Sequence, residues 1–580
     1  MARVLFLSPP RRLDGTRTLF NHATLTLASH LARRGQESRL VPLVGPDWPG
    51  QLESYLEAYR PDVAAISCKW WDTLFGATEV ARRVKQHRSA IRTLAGGQTA
   101  TSFATELVNR GLFDAVIRGD GEEPLLAYAQ GRTGPNLTWL DDGVVRQTEQ
   151  TYVQRADSPE NLTLLDDLTE LADPSLLKWV GREVPFVWTG KGCRSTCLYC
   201  AGSALGHKRL FNRTGYVYRP VEQVVHDMEV LAPWSGGTFL FDFDPVTDPA
   251  KESYYHELFE NLPQGRFHAL FYCWSLPTRD FVERISQTFA TAVVGIDVQT
   301  YSEPLRQRLA QRAWIKPFSP DADILDRLEA IKDAGNLSAS VYGILGLASE
   351  TQEDVTRAES FLETLDERFG DILHELALTP LSIEPGALVS GTPAKYGMVP
   401  LRQTLDDYLA HTGQAWLTRL GFHDQPWTGE GPHPFGLHGE GESPDRVYRD
   451  YQKLQERLRA MERAREERRA TAALEFTETE VRLTLSNRTV FDPQWHLVPW
   501  AVENAVTWKR PRVRIDARNA WIKVPDSESL AFDERYEETV RGLASMKDSL
   551  GNDNLTIVIE GRTNQDWGAL QEMIGPTNQA

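Results

Sequence analysis

Short apolar segments rich in β-branched residues alternate with longer segments of mixed polarity over the first 130 residues of this 580-residue chain. Apolar runs of this kind predict buried strands, and the segments between them predict helices. The predicted strands are Val4–Leu7, Arg39–Leu43, Val63–Cys68, Thr93–Gly96 and Ala115–Arg118. The alternation predicts an α/β domain in which helices cover both faces of a parallel sheet, with ligands bound at the carboxyl ends of the strands.

A second alternation runs from about Val184 to Met398. Its strands and helices predict an open, partial (β/α)6 barrel, and a full eight-fold barrel is the close alternative. The six predicted strands are Phe186–Thr189, Thr238–Phe243, Ala269–Tyr272, Val293–Gln299, Ser338–Leu345 and Leu376–Ile383.

The remaining segments complete a division of the chain into four parts, 1–130, 131–182, 183–400 and 401–580. Residues 131–182 are polar and predict a linker with a small hairpin. In the last part, the highly charged segment Tyr448–Ala472 predicts a long exposed helix. Three short strands and the helix Glu534–Ser549 follow it, so we expect a C-terminal α+β cap that binds substrate.

The charge and hydropathy of the chain exclude several classes of partner. The chain has 63 basic and 80 acidic residues and a net charge of −17, which argues against a nucleic-acid partner. It contains no apolar run long enough to cross a membrane. The apolar run before Pro9-Pro10 is too short for a signal peptide, so we expect a cytoplasmic protein.

Three of the five cysteines lie within eight residues, directly after a predicted strand. Cys193, Cys197 and Cys200 have the spacing Cys-x3-Cys-x2-Cys, and so few cysteines do not form a disulfide framework. Three thiolates can hold three irons of a [4Fe–4S] cluster and leave the fourth iron free for a substrate or cofactor. The alternative is zinc, which would need a fourth ligand such as His207.

This cysteine spacing, with Tyr199 before the last cysteine, resembles the motif of the radical SAM superfamily. The resemblance implies that S-adenosylmethionine (SAM) binds at the open iron, with Tyr199 beside it. In that superfamily, polar residues at the end of the second barrel strand hold the methionyl amine of SAM, and Asp242 and Asp244 are the candidates here. A strand-end turn without that role is the alternative.

Later barrel segments resemble the same superfamily in their order and spacing. Residues 295–300, which include Gln299, resemble the fourth-strand segment that contacts the ribose and carboxylate of SAM. Residues 343–351, which include Leu345, resemble the fifth-strand segment at the adenine. Glu384-Pro385-Gly386 resembles the ending of the sixth strand.

The N-terminal part resembles the Rossmann- or flavodoxin-like cobalamin-binding domain of cobalamin-dependent radical SAM enzymes. Its glycines would let the backbone approach a bulky cofactor closely. The residues that carry the resemblance, and are the expected cobalamin contacts, are Ser8, Pro9, Gly96, Gly97, Thr99, Gly119, Gly121 and Glu122. A generic flavodoxin-like domain with glycine-rich turns is the alternative.

The lower face of cobalt is expected to carry no histidine, because the Asp-x-His-x-x-Gly signature is absent. The loop after the third strand would lie beneath the corrin and contains Lys69 and Trp70. A cation or an apolar wall there would deny cobalt a lower ligand and favour methyl transfer from it. Simple packing of the tryptophans is the alternative.

The resemblance implies a C-methyltransferase of specialised metabolism that acts on a small molecule, amino acid or peptide. One SAM would methylate cobalamin, a second would bind the [4Fe–4S] cluster and yield a radical, and a flavodoxin- or ferredoxin-like donor would supply electrons. Length and domain order are also compatible with tryptophan 2-C-methyltransferases, which do not use the deoxyadenosyl radical. The alternatives are a non-methylating oxidase, cyclase or ring-contracting enzyme, and a non-catalytic cobalamin or redox sensor.

Overall fold

A seven-stranded sheet forms the N-terminal part, as the computed structural model shows. The structure describes residues 2–10, 22–43, 47–155, 186–215, 217–235, 237–241, 249–418, 427, 431–469, 473–476, 480–485, 513–515, 520–522 and 555–560. Five parallel strands stand in the order β2-β1-β3-β4-β5. They are β1 (Arg3–Ser8), β2 (Glu37–Pro42), β3 (Val63–Ser67), β4 (Arg92–Gly96) and β5 (Ala115–Ile117). Their apolar runs are buried because helices pack on both faces.

The helices of this part follow the predicted alternation. They are α1 (His22–Arg33), α2 (Trp48–Tyr59), α3 (Leu74–His87), α4 (Gln98–Ser102), α5 (Ala104–Asn109) and α6 (Glu122–Ala129), with a 3₁₀ turn at Trp71–Thr73. Strands β2 and β3 lie on opposite sides of β1, so the chain changes direction across the sheet at β1. Ligands of such sheets bind beside that point, at the carboxyl ends of the strands.

The hairpin predicted within residues 131–182 is present as β6 (Leu137–Asp141) and β7 (Val144–Gln147). It is not an isolated part of a linker, because β6 pairs antiparallel with β5 and extends the N-terminal sheet. Asn136 helps to attach the hairpin to the sheet. Its side-chain amide donates to the carbonyl oxygens of Asp120 and Tyr152 and holds the hairpin against the loop after β5.

The second sheet contains five parallel strands in sequence order, as a partial barrel requires. They are β10 (Thr238–Phe241), β11 (His268–Cys273), β12 (Thr291–Gln299), β13 (Leu337–Leu345) and β14 (Leu373–Pro380). The helices around it are α7 (Ala204–Phe211), α8 (Val221–Ser235), α9 (Pro249–Glu260), α10 (Arg279–Thr288), α11 (Glu303–Gln311), α12 (Asp321–Ala334) and α13 (Gln352–Phe369). Within the described residues, the sheet does not reach the eight strands of the alternative prediction.

The predicted first strand of the barrel, Phe186–Thr189, is wrong in extent. Only Phe186 bridges to the second sheet, in parallel with Leu240. The next residues form β8 (Gly190–Lys191), which pairs antiparallel with β9 (Val217–Tyr218). Gly192 then adopts a φ of +113°, a conformation that favours glycine, and leads the chain into the cysteine loop.

The predicted exposed helix Tyr448–Ala472 is present as α16 (Pro444–Arg469), but one of its faces is buried. Apolar residues at helical spacing pack that face against the barrel, and the buried Arg465 joins them through its pair with Asp366. Exposed charged residues such as Lys453 and Arg457 lie on the other faces. Before it come α14 (Leu388–Gly391), a 3₁₀ turn at Pro393–Tyr396, β15 (Met398–Pro400), α15 (Leu405–Thr418) and β16 (Leu437–Gly439). Strands β15 and β16 pair antiparallel.

Helix α15 belongs to the core of the N-terminal part. Trp416 packs edge-on against Trp48, with 5.7 Å between ring centroids, and Tyr408 lies beside Trp71. Helix α15 therefore links the barrel to the N-terminal part, although it follows both of them in sequence.

The C-terminal strands form a separate five-stranded sheet in the order β17-β18-β21-β19-β20. They are β17 (Ala473–Phe476), β18 (Glu480–Leu485), β19 (Val513–Ile515), β20 (Ala520–Ile522) and β21 (Leu555–Glu560), and three of them match the predicted strands. The predicted helix Glu534–Ser549 lies outside the described residues. Across the described ranges, no helix has both the length and the apolar character needed to span a membrane.

Candidate active site

The loop that carries the three cysteines is fixed by hydrogen bonds to a neighbouring barrel segment. Leu198 N–H donates to the Trp314 carbonyl oxygen at 3.0 Å, and the Thr196 hydroxyl donates to the Ala313 carbonyl oxygen at 2.7 Å. Helix α7 starts directly after the loop, where Ser203 accepts from Gly206 N–H as the helix cap. The loop therefore has a defined conformation.

The thiols of this loop are well suited to bind metal. Cys193 and Cys197 are buried, and Cys200 is half-buried. Burial raises the pKa of Cys197 to about 11 and also raises that of Cys200, so both remain protonated at neutral pH when no metal is bound. Iron binding would supply the positive charge that stabilises the thiolates, with release of protons.

Gln299 connects the end of β12 to the cysteine loop. Its side-chain nitrogen lies 3.9 Å from Cys197 Sγ, and its side-chain oxygen accepts from Lys316 N–H at 3.0 Å. Hydrogen bonds to the sulfur ligands tune an iron–sulfur cluster, so the environment fits one. The Lys316 ammonium pairs with Asp297 and lies 5.6 Å from the centre of the Trp274 ring. These three side chains line a small cavity beside Gln299.

The other predicted SAM residues occupy different surroundings. Tyr199 is enclosed, and burial raises the pKa of its hydroxyl well above the ordinary value. Leu345 is buried at the end of β13, and its carbonyl oxygen accepts from Leu381 N–H at 2.8 Å. Asp242 and Asp244 lie outside the described residues.

The predicted cobalamin residues lie at the carboxyl edge of the N-terminal sheet. Ser8 ends β1, and Pro9 follows it. Gly96 ends β4, and Gly97 has a φ of +113°, where a Cβ atom would lie 2.7 Å from the Cys68 carbonyl oxygen. Only glycine fits this approach of two loops.

The neighbouring loop carries Lys69 and Trp70. The Lys69 ammonium lies 5.0 Å from the centre of the Trp70 ring, and the Lys69 carbonyl oxygen accepts from Thr99 N–H at 3.1 Å. The structure thus joins three of the predicted cofactor residues through adjacent loops.

The loop after β5 faces the cysteine loop. Gly119 has a φ of +75°, and Gly121 precedes α6. Glu122 is buried and lies 3.3 Å from the ammonium of Lys191, two residues before Cys193. The carboxylate of this predicted cobalamin residue is therefore directed to the barrel.

Two family models match the two alternations. Residues 21–129 match the B12 binding domain, and residues 189–362 match the Radical SAM superfamily. The chain therefore combines a B12-binding domain with a radical SAM domain. Its two domains make cobalamin, a [4Fe–4S] cluster and SAM the cofactors of this enzyme.

Known relatives support the same assignment. The enzyme is 27% identical over 236 residues to hopanoid C-3 methylase from Methylococcus capsulatus, a match that covers 37% of this chain and 41% of the relative. The matched region thus spans about two-fifths of the length of that curated relative.

The fold is similar to that of TsrM from Kitasatospora setae, a radical S-adenosylmethionine methyltransferase. Its structure with cobalamin and a [4Fe–4S] cluster matches with a TM-score of 0.55 and 16% identity, over 69% of this chain and 77% of TsrM. The TsrM structure with tryptophan and aza-SAM gives a TM-score of 0.54 and 15% identity, over 69% and 78%. At these identities the similarity shows a shared fold.

Several residues at the centre of this enzyme were not among the site residues predicted from the sequence. Gln98, Lys191 and Glu384 join the cysteine loop to the N-terminal domain, and Lys316 lies beside Gln299. Lys191 and Gln98 adjoin predicted motifs, and Glu384 lies in the segment that resembles the ending of the sixth strand. Nothing in the sequence pattern indicates that residues 98 and 384 are in contact.

Proposed function

We propose that this enzyme is a C-methyltransferase that acts on a small molecule, amino acid or peptide in specialised metabolism. The observation that carries the proposal is the contact between the cysteine loop and the predicted cobalamin loop. Gln98, next to Gly97, and Ala201, next to Cys200, both donate hydrogen bonds to Glu384. Because the two predicted cofactor loops meet at one interface, the arrangement supports methyl transfer from cobalt to a substrate near the cluster, which requires the two cofactors to lie close together.

In this proposal, Cys193, Cys197 and Cys200 hold the cluster, and the amide of Gln299 faces the Cys197 sulfur. When bound, the cluster supplies the electron that cleaves SAM, and cobalamin supplies the cobalt that carries the methyl group. Tyr199 and Leu345 are proposed SAM contacts, as are Asp242 and Asp244 outside the described residues.

The N-terminal loops are proposed to bind cobalamin. Gly96, Gly97, Gly119 and Gly121 leave room for close backbone approach. Ser8, Pro9, Thr99 and Glu122 complete the proposed set. Lys69 and Trp70 are proposed to lie beneath the corrin and to exclude a lower ligand from cobalt.

The test is anaerobic reconstitution with iron, sulfide and cobalamin, followed by incubation with SAM that carries a labelled methyl group. Candidate substrates are amino acids including tryptophan, peptides and a hopanoid, because the relatives name the first and last of these. We expect a labelled product from at least one class. The Cys197→Ala variant should abolish it, and Cys273→Ala, a buried cysteine outside the loop, should not.

Two outcomes would contradict the proposal. Formation of 5′-deoxyadenosine together with an unmethylated, oxidised or cyclised product would show a non-methylating radical enzyme. If the reconstituted protein does not bind cobalamin together with a four-iron cluster, the assigned cofactors and the proposed site are both excluded.

A further inference from the structure

Glu384 lies after β14, between the cysteine loop and the N-terminal domain. Its Oε2 atom accepts from Ala201 N–H at 2.8 Å and from the side-chain nitrogen of Gln98 at 2.9 Å. Ala201 follows the last cysteine, and Gln98 follows Gly97. A single carboxylate oxygen therefore joins the two loops that the proposed function assigns to the cluster and to cobalamin.

The backbone around Glu384 is held from both sides. Before it, the Ile383 carbonyl oxygen accepts from the Tyr408 hydroxyl at 2.6 Å. After it, the Pro385 carbonyl oxygen accepts from the Ser102 hydroxyl at 2.8 Å. Gly386 has a φ of +86°, and a Cβ atom there would lie 2.6 Å from Ser102 Oγ. The carboxylate thus has little freedom to move away from either loop.

The other end of the cysteine loop is also attached to the N-terminal domain. The Lys191 ammonium lies 3.3 Å from Glu122 and 3.7 Å from Asp120, both in the loop after β5. The first and last cysteines are therefore flanked by separate polar contacts to the same domain. With both ends attached, the loop cannot shift as a unit relative to the cobalamin loops unless a contact breaks.

We propose that Glu384 is a positioning residue that sets the separation and orientation of the cluster relative to cobalamin, by holding the Cys200 end of the loop against Gln98. This inference rests on the proposed function for its cofactors. It assigns to Glu384 no contact with SAM, cobalamin or substrate. A displacement of about 1 Å in such an arrangement can cost about 10²-fold in rate.

The test measures the magnetic coupling between the reduced cluster and cob(II)alamin in the reconstituted holoenzyme, because dipolar coupling reports the distance between the two centres. We expect Glu384→Ala to lose the narrow distance distribution of the wild type and to lower kcat by about 10²-fold while KM for SAM is unchanged. Glu384→Gln keeps an acceptor oxygen and should retain the wild-type distance distribution and the wild-type kcat. Asp406→Ala removes the exposed Arg110–Asp406 pair, which touches neither cofactor loop, and should change neither.

If the Glu384→Ala variant fails to bind iron, the Gln98→Ala variant is measured in its place. It breaks the hydrogen bond between Gln98 and Glu384 from the cobalamin side and leaves the cysteine loop unchanged in sequence. A wild-type distance distribution in a cofactor-loaded Glu384→Ala or Gln98→Ala variant would overturn the inference. Loss of coupling in Asp406→Ala as well would also overturn it. The proposed function fails separately, when the wild type binds both cofactors but transfers no methyl group.

Discussion

Glu350 is a buried carboxyl group in the turn after β13. Its side-chain oxygen accepts from Gly346 N–H at 2.5 Å, and only 6% of the residue is exposed. Burial raises its pKa from 4.5 to about 8, with further contributions from neighbouring carboxylates such as Asp354. The folded enzyme therefore keeps this group protonated at neutral pH.

This proton makes stability depend on pH. Between pH 4.5 and about pH 8 the folded chain holds a proton that the unfolded chain has released. Stability from this group is fully present below pH 4.5 and falls by about 1.4 kcal/mol per pH unit as pH rises to the folded pKa. We expect Glu350→Gln, which does not ionise, to flatten the decline of the unfolding midpoint over this range.

The control is Glu353→Gln, an exposed neighbour on α13 that should leave the slope of the wild type. Thermal unfolding of each variant across the pH range gives the measurement. A Glu350→Gln slope equal to that of the wild type would show that Glu350 is ionised in the folded enzyme.

At the same scale, sequence motifs identified the cysteine loop but not the residues that orient it. The three cysteines are recognisable because their spacing is local and chemically specific. Gln98 and Glu384 are 286 positions apart, and their contact exists only because the two domains pack together. Single polar residues of this kind have no periodicity or spacing that distinguishes them from surface residues.

At the scale of elements, the order of strands and helices was predicted well because buried strands and amphipathic helices differ in local pattern. The predictions of individual elements fail where pairing or packing with a segment distant in sequence determines the structure. Phe186–Thr189 has the composition of a strand, yet β8 pairs with β9 instead of continuing along the sheet. In α16, dense charge obscured an apolar stripe that the barrel covers.

The apolar stripe of α16 predicts that a substitution within this highly charged helix lowers the stability of the fold. Leu454 is 1% exposed and belongs to the apolar core with Val447, Tyr451 and Leu458. Leu454→Ala should lower the free energy of unfolding by about 2–5 kcal/mol, because it removes buried methyl groups and leaves a cavity. Denaturant unfolding followed by circular dichroism measures the loss.

Lys453→Ala on the same helix is the matched comparison. Its side chain is 68% exposed and pairs with Glu359 at the surface, so its loss should have little effect. Equal stability of the Leu454→Ala variant and the wild type would mean that α16 does not pack on the barrel in solution.

At the scale of the whole molecule, four charged side chains connect the two domains, and three of them are buried while Lys191 is partly exposed. Asp120 and Glu122 come from the B12 binding domain, and Lys191 and Arg213 come from the radical SAM domain. Arg213 pairs directly with Asp120, and Gln154 N–H donates to the same carboxylate at 2.9 Å. The two positive and two negative charges balance, which limits the cost of their burial.

Removing the charge of one partner in the Lys191–Glu122 pair should lower the free energy of unfolding more than removing both charges. Lys191→Met leaves Glu122 buried without its cation, so we expect a loss of about 3–5 kcal/mol in the free energy of unfolding. Adding Glu122→Gln should recover part of this loss, because the remaining side chain is neutral. Chemical unfolding of the wild type, both single variants and the double variant forms a double-mutant cycle that measures the coupling.

Asp406→Ala, which breaks the exposed pair with Arg110, should leave the unfolding midpoint unchanged. If the effects of Lys191→Met and Glu122→Gln simply add, the two side chains do not interact across the domain boundary, and the other contacts of Lys191, with Asp120 and Gln154, hold the Cys193 end of the loop. Coupling between them would instead mean that binding of the N-terminal domain to the barrel is energetically linked to the loop that precedes the first cluster ligand.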